Sequence, residues 1–157
     1  PITVAASVLK SGDFEYRWQE MANSDLTTRC AKDAYEMAGI GPEDVNVCEM
    51  HDAFTYSEIA HYEELGFCPP GEGGKMIDEG KTEIGSRVAV NPSGGLLSRG
   101  HPVSATGVVQ IAELVWHLRD EAGQRQQPGA KIGLAHTMGG EAAGLETASC
   151  AIHILKN

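Results

Sequence analysis

The sequence predicts a layered α/β domain whose elements follow the order strand, helix, strand, helix, strand, helix, strand, strand. Three observations predict it. Runs rich in Val, Ile and Thr alternate with segments that carry apolar residues at helical spacing. Glycine and proline punctuate the junctions, as at Gly39, Gly41-Pro42, Gly66 and Pro128-Gly129. The last two apolar runs follow one another with no helix between them, which suits an antiparallel pair. A chain of 157 residues is expected to form one domain over residues 1–157 and to bury about 70% of its unfolded surface.

Ile2 to Leu9, rich in Val, Ile and Thr, is the first strand, and the polar, aromatic stretch Ser11 to Gln19 reads as a loop. Asn23 or Ser24 caps a helix that runs through Met37 and stops at Gly39. Val45 to Met50 is a short apolar strand, followed by a helix from about Phe54 to Leu65 that stops at Gly66. Cys68 to Gly74 (CPPGEGG) reads as a plain surface loop, and Lys75 to Ser86 as polar surface. Val88 to Val90 is a brief strand entering Asn91. The third helix is expected to start at Pro102, a favoured first helical position. Its Val108, Ile111, Val115 and Leu118 are expected to form one apolar stripe. Lys131 to Ala135 and Thr147 to Leu155 are the last strands, joined by a glycine-bearing connection from Thr137 to Gly144. In the final strand Ala148, Cys150, Ile152 and Ile154 share one face.

Composition excludes several functions. Twelve Lys and Arg against 22 Asp and Glu leave a net charge of −10, which repels phosphate backbones and argues against nucleic-acid partners. An apolar fraction of 41% argues against disorder. Ile2 to Leu9 is too short to cross a bilayer, and neither a transmembrane span nor a signal peptide is read. Cys30, Cys48, Cys68 and Cys150 lie in separate segments, so they are expected as reduced thiols and the protein as cytoplasmic. The chain opens on Pro1 rather than Met, and is expected to be a piece of a longer protein.

Chemistry concentrates in Asn91 to Gly107, NPSGGLLSRGHPVSATG. Gly94, Gly95 and Gly100 permit backbone conformations that other residues resist. His101 follows, at the mouth of the third helix. The positive helix end favours its neutral imidazole, able to accept a proton or donate a hydrogen bond, and would stabilise a neighbouring thiolate. A simple capping role is the alternative. A phosphate-binding P-loop is excluded, because His101-Pro102 stands where Lys-Ser/Thr is required after the G-x4-G spacing.

His51-Asp52-Ala53-Phe54 ends the second strand, where sites in α/β sheets gather; a buried, satisfied histidine is the alternative. Zinc is disfavoured: Cys48 and His51 have a C-x2-H spacing but face opposite sides of a strand, and no second ligand pair follows. The HTMGG segment from His136 could line an anion-binding hollow with glycine amides, or form a plain hairpin turn. None of the cysteines is placed as a nucleophile, and no G-x-S-x-G elbow occurs. These are groups that hold, polarise and deprotonate, with nothing to attack. They make half of an active site.

NPSGGLLSRGHPVSATG resembles the glycine–His–Pro signature of the thiolase superfamily, and HDAF resembles the HDCF motif of its sterol-carrier-protein type. GIGPEDVNVCEMHDAF, YEELGFCPPGEGG, ELVWHLRDEAGQRQQPGAK and the closing glycine turn extend the resemblance from about Ala22 to Leu155. It matches the C-terminal half of such an enzyme, whose fold of two βαβαβαββ halves agrees with the order read above. The resemblance implies acyl exchange on a coenzyme A thioester as substrate, with no further cofactor. A cysteine in the N-terminal half takes the acyl group. His101 activates that cysteine and helps bind the thioester oxygen, and His51 helps form an oxyanion hole. Asp52, Asn91, Ser93, Gly94, Gly100, His136, Gly139 and Gly140 are implied to border the substrate. The implied partner is an N-terminal thiolase domain, in the same chain or another, and half of such a fold is expected to self-associate as a homo-oligomer.

Two departures from the family pattern bear on the reaction. Ala53 replaces the cysteine of HDCF, and Ala135-His136-Thr137 stands where other members carry a second cysteine in the C-terminal turn. Claisen condensation needs a base for the proton alpha to the thioester. Retro-aldol or thioester cleavage of a larger acyl-CoA is therefore an alternative reaction, and a non-catalytic subunit or scaffold module an alternative role.

Overall fold

The computed structural model describes residues 1–12, 25–141 and 147–157. Its strands are β1 (Thr3–Ser11), β2 (Val47–Glu49), β3 (Ala89–Val90), β4 (Ile132–Glu141) and β5 (Thr147–Lys156), in one sheet of order β1-β5-β4-β2-β3. β2 pairs parallel with both β3 and β4, while β5 returns antiparallel to β4 and β1 antiparallel to β5. The helices are α1 (Asp25–Ala38), α2 (Thr55–Glu64), α3 (Gly73–Asp78), α4 (Gly95–Arg99) and α5 (Thr106–Leu118). The α/β class and the antiparallel closing pair are as the sequence indicates.

Each face of the sheet carries its own core. On one side Leu26, Cys30 and Ala34 of α1, Tyr62 of α2 and Leu65 just after it pack against Cys48, Leu134, Cys150, Ile152 and Ile154. On the other, Leu114 and Leu118 of α5 pack on Val47, Ala135 and Leu155. α1 ends where Gly39 takes φ +64, which lets the Ile40 amide reach back to the Tyr35 carbonyl at 3.1 Å. The expected cap at Asn23 or Ser24 and most of the expected loop before it lie outside the described residues. Cys30, Cys48 and Cys150 are buried free thiols and Cys68 is a half-buried one.

Four expectations are corrected. Gly73 opens α3 instead of continuing a loop, because its amide donates to Glu63 Oε1 at 2.9 Å and Met76 gains a buried seat. The stretch after Gly94 forms α4. The third long helix begins at Thr106 rather than Pro102; Pro102 heads a turn whose carbonyl accepts the Ala105 and Thr106 amides. Finally, β4 does not stop at Ala135 but runs to Glu141, so His136 to Gly140 is strand, paired with β5.

The apolar stripe of α5 is also redrawn. Leu118 is buried and Ile111 and Val115 pack partly on the core, but Val108 is 71% exposed. Polar residues take its place. Gln110 bonds the His136 carbonyl, Glu113 holds Arg125 through two contacts of 2.8 and 3.0 Å, and His117 Nδ1 accepts the Gln127 amide. A polar group tolerates burial once it is paired.

Candidate active site

β2, β3 and β4 point their carboxyl ends the same way, and the chain leaving each end reaches one region. Behind β2 come Glu49, Asp52 and, across from them, Asn91, all tied to backbone. Glu49, fully buried, accepts the Ser93 amide at 3.1 Å and the Ser93 hydroxyl at 2.6 Å, with the Arg99 guanidinium 4.0 Å away. Asp52 accepts the Leu96 amide at 2.7 Å and the Leu97 amide at 3.4 Å, satisfying the free donors at the start of α4. Asn91 adopts φ +47, and its Oδ1 accepts the Met50 amide at 2.8 Å. These contacts clamp residues 91–99 onto the end of β2. The clamp delivers His101.

The rings of His51 and His101 meet edge to face, with centroids 5.0 Å apart and planes at 89°. Both line an open cavity of about 410 Å³, together with Val103, Thr137, Gly139 and Gly140. His101 Nδ1 lies 2.8 Å from Thr106 Oγ1, whose hydroxyl also donates to the Pro102 carbonyl at 3.2 Å. Burial, followed by the nearby His101 and His61 rings, lowers His51 to about 4. It is neutral at neutral pH. Its Nδ1 is buried and has no hydrogen-bond partner among the described residues. Such a pair presents one ring held neutral and one ring held by a hydroxyl, both facing a space a ligand can enter.

The residues named from the sequence take four kinds of place. His51, His101, Gly139 and Gly140 stand on the cavity wall. Asp52, Ser93 and the Oδ1 of Asn91 are engaged in the frame described above, while Asn91 Nδ2 is buried with no hydrogen-bond partner among the described residues. Gly94 and Gly100 flank α4 at φ +96 and +94. His136 is fully buried, on the face of β4 opposite Thr137, where its ring meets His61 and Thr27. Thr137 turns to the cavity and donates to Gln110 Oε1 at 2.6 Å.

Sequence reasoning missed Glu49 and Thr106, and it placed Thr137 at the cavity only as part of HTMGG, with no role of its own. Glu49 left a signal: a carboxylate directly after Val47 and Cys48 and before Met50, in a short apolar run, needs a buried partner. Thr106 and Thr137 left none, since a threonine in a helix or strand is ordinary. A second hollow of about 310 Å³ lies beside Phe67 and Met76. Its cations are already engaged, Lys75 and Lys81 with Glu79, and Arg87 with two backbone carbonyls.

Glu49 gives the fold a pH signature. Burial above all, with the Glu113 carboxylate, raises it to about 7 against the lowering effect of the Ser93 hydrogen bonds and Arg99. Its ordinary value is 4.5, so folding takes up a proton between these limits. The stability it contributes is complete below pH 4.5 and is lost as pH rises through 7. Glu49→Gln removes that slope. The melting temperature of the native chain should therefore fall, relative to Glu49→Gln, between about pH 5 and about pH 8. A constant difference over that range contradicts the assignment. Other titrating groups, such as His51 and His117, are common to both proteins and cancel.

Comparison with known proteins places this geometry in a family. Residues 15–156 match the family described as thiolase C-terminal domain-like. The chain is 50% identical over 120 residues to sterol carrier protein 2 of Rattus norvegicus, covering 76% of this chain and 22% of that protein. It is 43% identical over 155 residues to an acetyl-CoA acetyltransferase of Methanothermobacter thermautotrophicus, covering 98% and 39%. It is 44% identical over 141 residues to the benzoylsuccinyl-CoA thiolase subunit BbsB of Thauera aromatica, covering 89% and 37%. Among solved structures, a chain of the Ltp2-ChsH2(DUF35) aldolase superposes with a TM-score of 0.81 at 26% identity, over 98% of this chain and 39% of that one. The chain thus spans less than half the length of each of these relatives. Its matched residues, its sheet and its paired histidines together make it a member of the thiolase C-terminal domain-like family.

Proposed function

We propose that this chain is the histidine-bearing half of a thiolase-type enzyme acting on acyl-CoA thioesters, with the cysteine nucleophile supplied by an N-terminal thiolase domain in the same chain or another. The meeting of His51 and His101 at 5.0 Å on one open cavity is the observation that carries this reading. With the Thr106 hydroxyl hydrogen on the Pro102 carbonyl, His101 Nδ1 is the donor to Thr106 Oγ1, and Nε2 keeps a lone pair. That is the form a base needs to take the proton of an attacking thiol. Neutral His51 adds an N–H donor for the oxygen that gains charge, directly or through a water. A preorganised donor of this kind is worth about 2.7–4 kcal/mol to acyl transfer. Gly139 and Gly140, without side chains, leave room for the acyl group beside the two rings.

Exposed apolar residues support the two-domain arrangement. Val103, on the cavity wall, is 78% exposed and Val108 of α5 71%, and an N-terminal domain seated over them would cover both. The 157-residue chain alone should give no turnover of acetyl-CoA or acetoacetyl-CoA, since Cys30, Cys48 and Cys150 are buried in the core and none of the four cysteines lines the cavity. Robust turnover by the pure chain, lost in Cys48→Ala, overturns the reading.

A second reaction class is favoured by one specific feature. Ala53 leaves the HDAF motif without a thiol, and the superposing aldolase is a carbon–carbon lyase by name. In a retro-aldol step a base takes the hydroxyl proton of a β-hydroxyacyl-CoA and the carbon–carbon bond breaks to a carbonyl compound and an enolate whose charge rests on the thioester oxygen. The base then returns the proton to the enolate carbon, giving the shorter acyl-CoA. The same two imidazoles suit that charge. Release of a carbonyl compound from a β-hydroxyacyl-CoA, with no acyl transfer to free coenzyme A, selects this reading over condensation.

A further inference from the structure

His51 touches a second set of buried imidazoles that the proposed chemistry does not use. Its backbone amide donates to Nδ1 of His136 at 3.4 Å. The other nitrogen of that ring, Nε2, lies 3.4 Å from Thr27 Oγ1, and the Thr27 hydroxyl donates to Met138 Sδ at 3.4 Å. The His136 ring packs edge to face on His61, with centroids 4.6 Å apart. His61 Nδ1 is in turn 2.6 Å from Glu64 Oε2, inside the protein. His136, Thr27, His61 and Glu64 are all buried, and they come from α1, α2 and β4.

Only one protonation state satisfies these contacts. Nδ1 accepts an amide hydrogen, so it carries none. Thr27 has given its hydrogen to sulfur, so its oxygen accepts one, and Nε2–H supplies it. His136 is then the neutral Nε2–H tautomer, and its complete burial, which disfavours the imidazolium, agrees. A ring protonated on Nδ1 would turn an N–H against the His51 N–H. No proton passes from His51 to His136 along this contact, because the bond is to an amide. It holds the backbone in place.

We infer that His136 is a positioning residue: its Nδ1 lone pair, kept free by Thr27 and buttressed by the His61–Glu64 pair, anchors the His51 amide and so fixes the His51 imidazole against His101. This rests on the function proposed above for His51, but its test does not. Asparagine offers an acceptor oxygen on the same carbon that bears Nδ1, whereas leucine offers none.

In the ¹⁵N-labelled chain, His136 Nδ1 should resonate as an unprotonated acceptor and Nε2 as a protonated nitrogen. His136→Leu should shift the ring signals of His51 and speed exchange of its amide at least about tenfold, the loss of one hydrogen bond of about 1.4 kcal/mol. His136→Asn should restore most of that protection. Should His136→Leu fail to fold, Thr27→Val serves instead: it removes the Nε2–H acceptor, and the Nδ1 signal should move toward the protonated form, with Thr27→Ser restoring it. A protonated Nδ1 in the native chain, or equal His51 signals and exchange in the leucine and asparagine variants, overturns the inference. The proposed function fails by a separate result, an unchanged rate in His51→Ala of the assembled enzyme.

Discussion

Replacing His101 with alanine should lower kcat of the assembled enzyme at least about a hundredfold, which is about 2.7 kcal/mol of transition-state stabilisation. The size follows from its double engagement. One nitrogen is held by Thr106 at 2.8 Å, so the ring does not have to find its orientation during the reaction. The other faces the cavity that it shares with His51. Alanine removes both the base for the attacking thiol and a donor to the oxygen. His101 is exposed at the cavity mouth, so the substitution leaves the core intact and the melting temperature should change little. Single-turnover kinetics on the assembled enzyme would measure the loss in the chemical step itself. An unchanged rate would make His101 merely part of the loop.

Gly95→Ala should destabilise the chain by about 3 kcal/mol or prevent its folding. Gly95 sits at φ +59, where an L side chain costs roughly 1–2 kcal/mol. A Cβ there would also fall 2.2 Å from Asp52 Oδ2, so something must move. Asp52 has little freedom, since its carboxylate is buried and caps the Leu96 and Leu97 amides. Gly123→Ala is the control: its φ is +62 and nothing stands within 4 Å of the new atom, so it should show the backbone cost alone. Thermal unfolding of the two variants separates strain from collision. Equal losses would mean that the Asp52 contact does not constrain the loop.

Much of the architecture was readable because hydrophobic spacing and turn residues agree. The closing strand is an example: Cys150, Ile152 and Ile154 alternate in sequence and all are buried. His51 and His101 were legible as partners only through the resemblance of HDAF and NPSGGLLSRGHPVSATG to family motifs, since a histidine at a strand's end or before a helix is by itself equally a buried or capping residue. What escaped depends on tertiary partners. α3 has a glycine-rich start that no propensity favours, and it forms because Glu63 and the seat of Met76 are near. His136 looked like part of a turn because Gly139 and Gly140 follow it, but β5 supplies pairing that carries β4 through them. α5 reads as an apolar stripe because Gln110, Glu113 and His117 are polar by composition, and only their bonds to His136, Arg125 and Gln127 make burial acceptable.

The most direct test is a crystal structure of this chain joined to an N-terminal thiolase half whose nucleophilic cysteine is replaced by alanine, with an acyl-CoA bound. The thioester oxygen should then lie within hydrogen-bond reach of His101 and of His51 or a water that His51 holds. A thioester lodged elsewhere, with both imidazoles left facing empty solvent, would contradict the proposed function.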